Sequence, residues 1–313
     1  MKNIYFLLIL FVVIFGAACW KSDESGGTPT PKKYPGATPT GASNNSNAVS
    51  QNTSNAVNTM NNTTTGTKNG YAANLPEGFE QPTEEVGRRL LREYGSVFVA
   101  RNGAVPPKTV IFKNEQEVAS FQSSLQKSSA QIGSFNLELQ TAAMTALQEA
   151  ITEAKQSNLS INARGTDSAG RTYSETVDLW ASRVNPGLIH WVSKGKLSQT
   201  EANRIKSLSP FEQVPEIFKL EDEGMYFSKD LSKSIIYSVA PPGTSQHLSM
   251  LALDVSENEN ARVREILAKH GWFQTVQSDL PHFTFIGVKE NELTNLGLKK
   301  VTDAGRTFWI PNS

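Results

Sequence analysis

Three side chains in the C-terminal third of the chain are of the types that hold a catalytic metal. His247 and Asp254 lie seven positions apart in SQHLSMLALDV (245–255), and His282 follows in DLPHFTFIG (279–287). Two imidazoles and one carboxylate, with a fourth position left for water, make up the ligand set of a catalytic zinc site. A divalent cation would also account for an acid inside an apolar strand, because it replaces the hydration the carboxylate lost. Each residue also has a plainer reading. Asp254 could accept backbone N–H groups at a strand end, His247 could be a surface-loop histidine, and His282 could simply begin a strand. H-x6-D also recurs by chance.

The elements around these residues decide whether they meet. In LALDV, Leu251, Leu253 and Val255 point one way and Ala252 and Asp254 the other. In HFTFIG, Phe283 and Phe285 share a face opposite His282, Thr284 and Ile286. If these strands are neighbours, Asp254 and His282 project from one side of a sheet. His247 follows the turn-forming Pro241, Pro242 and Gly243, in a loop able to fold back over the next strand.

Upstream, PTEEVGRRLLREYG predicts a helix with Thr83 as N-cap, and SVFVA and KTVIF predict strands. NEQEVASFQSSLQ and LELQTAAMTALQEAITEAKQ predict helices, and LSINA a strand. YSETVDLWASRVNPGLIHWV reads as a helix interrupted at Pro186, and Ser198 with Glu201 as a capping box. SIIYSVA, LALDV, WFQTV, HFTFIG and RTFWIP predict strands, with ENARVREILAKHG a helix among them. Helices early and strands late imply an α+β domain, helices packed on a small antiparallel sheet.

The chain has 313 residues, a formal net charge of zero and one cysteine, Cys19. A neutral chain without a basic block argues against nucleic acid, and a lone cysteine permits neither an internal disulfide nor a thiolate cluster. Residues 1–19 carry Lys2, an apolar run from Ile4 to Phe15, and Gly16, Ala17 and Ala18 before Cys19. This is a secretory signal pattern. It resembles a bacterial lipoprotein signal with Cys19 as the lipidated residue, although Gly16 stands where the lipobox usually has Leu. The apolar run is shorter than the roughly 20 residues of a membrane-spanning helix. Residues 20–75, rich in Asn, Thr and Ser, lack the apolar content to fold and read as a disordered tether to a domain at 76–313.

SQHLSMLALDV followed by DLPHFTFIG resembles the S-x-H-x6-D and E-x-W-H signatures of the VanY-type D-alanyl-D-alanine carboxypeptidases, zinc peptidases of family M15. SAGRTYSET (168–176) resembles the family's Tyr-Arg-Ser-Tyr-x-Thr segment. The resemblance implies that His247, Asp254 and His282 ligate zinc, that Arg171 binds or polarises substrate, and that Ser245 helps hold a terminal carboxylate. Asp279 stands where the family has its general-base glutamate, Pro281 replaces a tryptophan, and Met250 replaces a glycine. Asp279 is chemically able to move the proton, yet it also suits a turn in QSDLP. Arg164 is a second candidate for the substrate arginine.

The other two histidines receive structural roles, His270 at a helix C-terminus before Gly271 and His190 packed beside Trp191. Trp180, Trp191, Trp272 and Trp309 are expected in the core. The expected protein is a monomeric, lipid-anchored zinc peptidase outside the cytoplasm, acting on the terminal D-Ala-D-Ala bond of peptidoglycan stem peptides. An endopeptidase with the same zinc site and a catalytically silent wall-binding lipoprotein are the alternatives.

Overall fold

The structure is a computed structural model and describes residues 70–312. The signal segment, Cys19 and most of the tether lie outside the described residues. Packed chain begins a turn before Pro76: Tyr71 is buried with its hydroxyl donating to Gly95 O (2.8 Å), and Asn74 Nδ2 donates to Asn295 O (3.0 Å).

The elements run α1 (Glu85–Tyr94), α2 (Glu115–Ser123), β1 (Lys127–Ile132), β2 (Phe135–Gln140), α3 (Thr141–Gln156), α4 (Tyr173–Ser193), α5 (Gln199–Ser207) and α6 (Pro210–Asp222). They continue with β3 (Ala252–Asp254), α7 (Ala261–Lys269), β4 (Trp272–Phe273), β5 (His282–Phe285), β6 (Leu298–Asp303) and β7 (Arg306–Pro311). β1–β2 and β6–β7 are antiparallel hairpins, and β5 lies between β3 and β4, antiparallel to both. This is the expected α+β architecture of helices on small antiparallel sheets. Among the described residues no helix is long and apolar enough to cross a membrane.

Several segments differ from expectation. SVFVA and SIIYSVA form 3-10 turns at Gly95–Val99 and Ile235–Tyr237 in place of strands, and KTVIF and LSINA run outside regular strands apart from an Ala163–Val255 bridge. LELQ belongs to β2, and its helix starts at Thr141. α4 passes through Pro186 unbroken behind a full capping box of Thr172 and Glu175. Ser198 caps α5 through Glu201 N, but the Glu201 carboxylate turns to Arg204 and leaves the box half made. At α1 the cap position is Glu84, and Thr83 donates to that carboxylate.

The core runs through all these layers. Leu253, Phe283 and Trp272 from the three-stranded sheet, with Leu251 and Val255 flanking β3, are at most 1% exposed and share the core with Leu147 of α3 and Leu267 of α7. Phe283 and Leu253 therefore face inward, and strand alternation turns Asp254 and His282 to the opposite face.

Candidate metal centre

Asp254 and His282 are directly paired in the β3–β5 register, so their side chains leave the sheet side by side. His247 comes from a 3-10 turn, Gln246–Ser249, just ahead of β3. The loop leading to it is set by Gly243, whose φ of +77° and close approach to Phe112 exclude a side chain: a Cβ there would lie 1.8 Å from Phe112 O. Phe112 N donates to Gly243 O (2.9 Å), tying the loop to the strand-free segment before α2. Met250 closes the turn in the left-handed region (φ +56°, ψ +28°). A Cβ costs about 1–2 kcal/mol in that conformation, so the position would suit a glycine better than a methionine. The Met250 side chain is buried, and its Cε lies 3.1 Å from where a Cβ on Gly170 would stand.

A third segment, 163–171, closes the site from the side. Asp254 N donates to Ser168 O (2.9 Å), Arg164 N to Asp254 O (3.2 Å) and Arg171 N to His247 O (3.3 Å). The resulting triangle is tight. His247 Nε2 lies 3.1 Å from His282 Nδ1, and each of these nitrogens is 3.3 Å from Asp254 Oδ1. Ligand bonds of about 2.0–2.1 Å at tetrahedral angles imply ligand–ligand edges of about 3.3 Å. The three donor atoms thus have the spacing of one face of a zinc tetrahedron.

The hydrogen positions follow from the partners. His247 Nδ1 is 2.7 Å from Ala169 O, a carbonyl that only accepts, so Nδ1 carries the proton and Nε2 presents a lone pair. His282 Nε2 is 2.8 Å from Gln246 Oε1. The orientation of that amide is settled at its other end, where Gln246 Nε2 donates to Tyr94 O (2.8 Å). His282 therefore donates from Nε2 and presents a lone pair at Nδ1. Thr284 and Thr275 hydroxyls also donate to Gln246 Oε1, and the two hydroxyls contact each other (2.6 Å).

Two imidazole lone pairs and a carboxylate oxygen consequently aim at one point. Asp254 Oδ1 is buried and has no hydrogen-bond partner, since neither facing nitrogen brings it a proton. Burial holds the His247 pKa below its ordinary value and so keeps the ring neutral. Such a convergence is unfavourable unless a cation lies at its centre, and the donor set is that of zinc.

Around the triangle lies a cleft of about 240 Å³ lined in part by Tyr94, Arg171, Arg183, Tyr237, Ser245 and Asp279. Asp279 is exposed there, in a turn where its N–H donates to Val276 O and its carbonyl accepts from His282 N (both 3.1 Å). It is both the turn residue and the cleft carboxylate that its sequence position allowed. Ser245 also lines the cleft, and its side chain does not cap the 3-10 turn. Arg171 has Nη2 at 3.2 Å from Asp254 Oδ2 and donates from Nε to Asp167 O (3.1 Å), so it braces Asp254 at the cleft wall.

The remaining sequence candidates stand elsewhere. Arg164 is exposed and outside the cleft, His270 pairs with Glu153 (2.9 Å), and His190 packs edge-on against Trp191. Trp180, Trp191, Trp272 and Trp309 are buried, as expected. Gln246 and Arg183 are the site residues that sequence reasoning missed. Gln246 is adjacent to His247, and the alternation of HFTFIG already places its partner Thr284 on the His282 face.

Two solved structures are similar to parts of the chain. The LdcB LD-carboxypeptidase, whose structure reveals the molecular basis of peptidoglycan recognition, is 16% identical with a TM-score of 0.29 over 50% of this chain and 64% of its own. The chain thus spans under two thirds of that protein. The D,D-pentapeptidase VanY from a VanB-type vancomycin resistance cassette, in complex with Zn(II), is 14% identical with a TM-score of 0.30 over 53% of this chain and 82% of its own. Among curated proteins no sequence match stands beside them. The VanY family model, described as D-alanyl-D-alanine carboxypeptidase, matches residues 136–298, a span that holds the metal triangle, Arg171, Ser245 and Asp279, and the chain belongs to that family.

Proposed function

We propose that the protein is a zinc carboxypeptidase that removes the terminal D-alanine from D-Ala-D-Ala-ended peptidoglycan stem peptides. The observation that carries this reading is the convergence of three lone-pair donors at the floor of a cleft that also presents a carboxylate, with the His247 tautomer held by the Ala169 carbonyl and the His282 tautomer by the Gln246 side-chain oxygen. His247, Asp254 and His282 would hold the metal. What zinc supplies there is Lewis acidity toward the scissile carbonyl and toward water at neutral pH.

The protein's own groups do the rest. Asp279 takes a proton from the attacking water and passes it to the leaving amine. Arg171 orients Asp254 through Oδ2, and its position on the cleft wall lets it stabilise charge developing on the carbonyl oxygen. Ser245 offers its hydroxyl to the peptide's terminal carboxylate. Secretion and a lipid anchor at Cys19, which would set the domain outside the cytoplasm facing the wall, complete the reading.

The test is release of D-alanine from N-acetyl-D-alanyl-D-alanine by the zinc-loaded protein, beside Asp279→Asn and Asp279→Glu. The carboxylate variant should retain activity, and Asp279→Asn should lose about 10²–10⁴-fold in turnover while keeping its metal. Cleavage that tolerates a C-terminal amide equally well would assign the site to an endopeptidase. An unchanged rate in Asp279→Asn would remove that residue from the mechanism.

A further inference from the structure

Two arginines line the cleft, and the structure uses them differently. Arg171 is only 13% exposed in its side chain, and its charge is met by Asp254. Arg183, on α4, makes no ion pair among the described residues. Its Nε donates to Ser238 Oγ (2.8 Å) and its Nη1 to Ser182 Oγ (2.9 Å). Ser238 Oγ also accepts from Lys229 N (3.2 Å), which holds that hydroxyl in place. A guanidinium has five N–H donors. Two of Arg183's are spent on fixing the side chain, and three remain, carrying a full charge that no carboxylate of the cleft answers.

The walls beside it are apolar. Leu179 and Tyr237 line the same cleft at 36% and 42% exposure, together with Ile236 and Val239. Apolar walls lower the local dielectric and strengthen a charge-assisted hydrogen bond made between them. A fixed fork of N–H groups in such a cleft fits a planar, two-oxygen anion.

Resting on the peptidase reading above, we propose that Arg183, held by Ser238 and Ser182, is the docking residue for a carboxylate of the peptide substrate. It acts in binding and specificity, whereas Arg171 braces Asp254. The carboxylate is either the peptide's C-terminus or an acidic side chain upstream of the scissile bond.

The experiment compares wild type, Arg183→Gln and Arg183→Lys on three probes: N-acetyl-D-alanyl-D-alanine, its C-terminal amide, and a longer amide-ended peptide carrying an upstream glutamate. Loss of a charged hydrogen-bonding pair raises KM roughly 10- to 100-fold. Arg183→Gln should show that rise with kcat nearly unchanged, and Arg183→Lys should recover part of it. A rise confined to the free-acid peptide identifies the terminal carboxylate, and a rise on the glutamate peptide identifies the upstream one. Equal KM values for wild type and Arg183→Gln on both carboxylate-bearing peptides would overturn the proposal. Should wild type turn over none of them, the peptidase reading falls, and calorimetric titration with N-acetyl-D-alanine and its amide decides Arg183 separately. Preference for the acid that disappears in Arg183→Gln supports the proposal, and the same binding in both proteins, or none in either, refutes it.

Discussion

Replacing Gln246 by Leu tests the chain of hydrogen bonds that orients His282. The side chain is 3% exposed, so the shape is roughly kept while the polar atoms go. Four contacts end: the donation to Tyr94 O and the acceptances from His282 Nε2, Thr284 and Thr275. The two threonine hydroxyls still have each other (2.6 Å), which leaves Tyr94 O and His282 Nε2 as the newly unpaired groups. At about 1–3 kcal/mol per buried unsatisfied group, the expected loss of stability is about 2–4 kcal/mol after partial relaxation. In a domain of this size that lowers Tm by roughly 5–15 °C. Losing the acceptor also frees the imidazole to rotate or change tautomer, so zinc affinity should fall about 10- to 100-fold. Thermal melts of the apo protein and a zinc competition titration read the two effects separately. A variant with unchanged Tm and unchanged zinc affinity would refute the tautomer argument, and with it the reason for expecting a cation at the triangle.

Three further outcomes follow from the same geometry. Gly243→Ala forces a Cβ into Phe112 O at a positive φ, so the loop bearing His247 must move, and both Tm and metal content should drop by circular dichroism and elemental analysis. Zinc at about 100 times its Kd should stabilise wild type by about 2.7 kcal/mol, seen as a melting point raised by roughly 5–10 °C and returned to the apo value by a chelator. Asp254→Asn keeps the size of the side chain while removing the charge that faces both imidazoles, so the zinc-dependent rise in Tm should shrink sharply. A full-sized rise would show that Asp254 does not ligate.

Much of the site was legible in the sequence because it rests on strand alternation. In LALDV and HFTFIG the apolar residues occupy one face so consistently that Asp254 and His282 had to share the other once the strands paired. His247 was legible as a loop residue, but its exact seat depends on Gly243 and on a left-handed Met250, whose conformation runs against its residue type. The misread elements share one cause. GSVFV is buried at every position and rich in apolar residues, and a short apolar run of that kind does not distinguish a strand from a buried turn. SIIYSVA misleads in the same way. Strands β1 and β6 were invisible for the opposite reason, since KSSAQI and LKKVTD are largely exposed hairpin arms without an apolar face. Helix α6 bore a plain signal that the expected elements omit, Pro210 at the first helical position and a Ser209–Glu212 capping box. Arg183 was hidden in an ordinary amphipathic helix, and only the tertiary fold brings Ser238 to its Nε.

The most direct measurement is the metal content of the purified protein by elemental analysis, beside His282→Ala. The expected result is about one zinc per chain in wild type and its loss in the variant, because the triangle then lacks one of its three donors. Absence of stoichiometric metal after zinc is offered, with wild type and His282→Ala equally stable, would contradict the metal centre and the peptidase built on it.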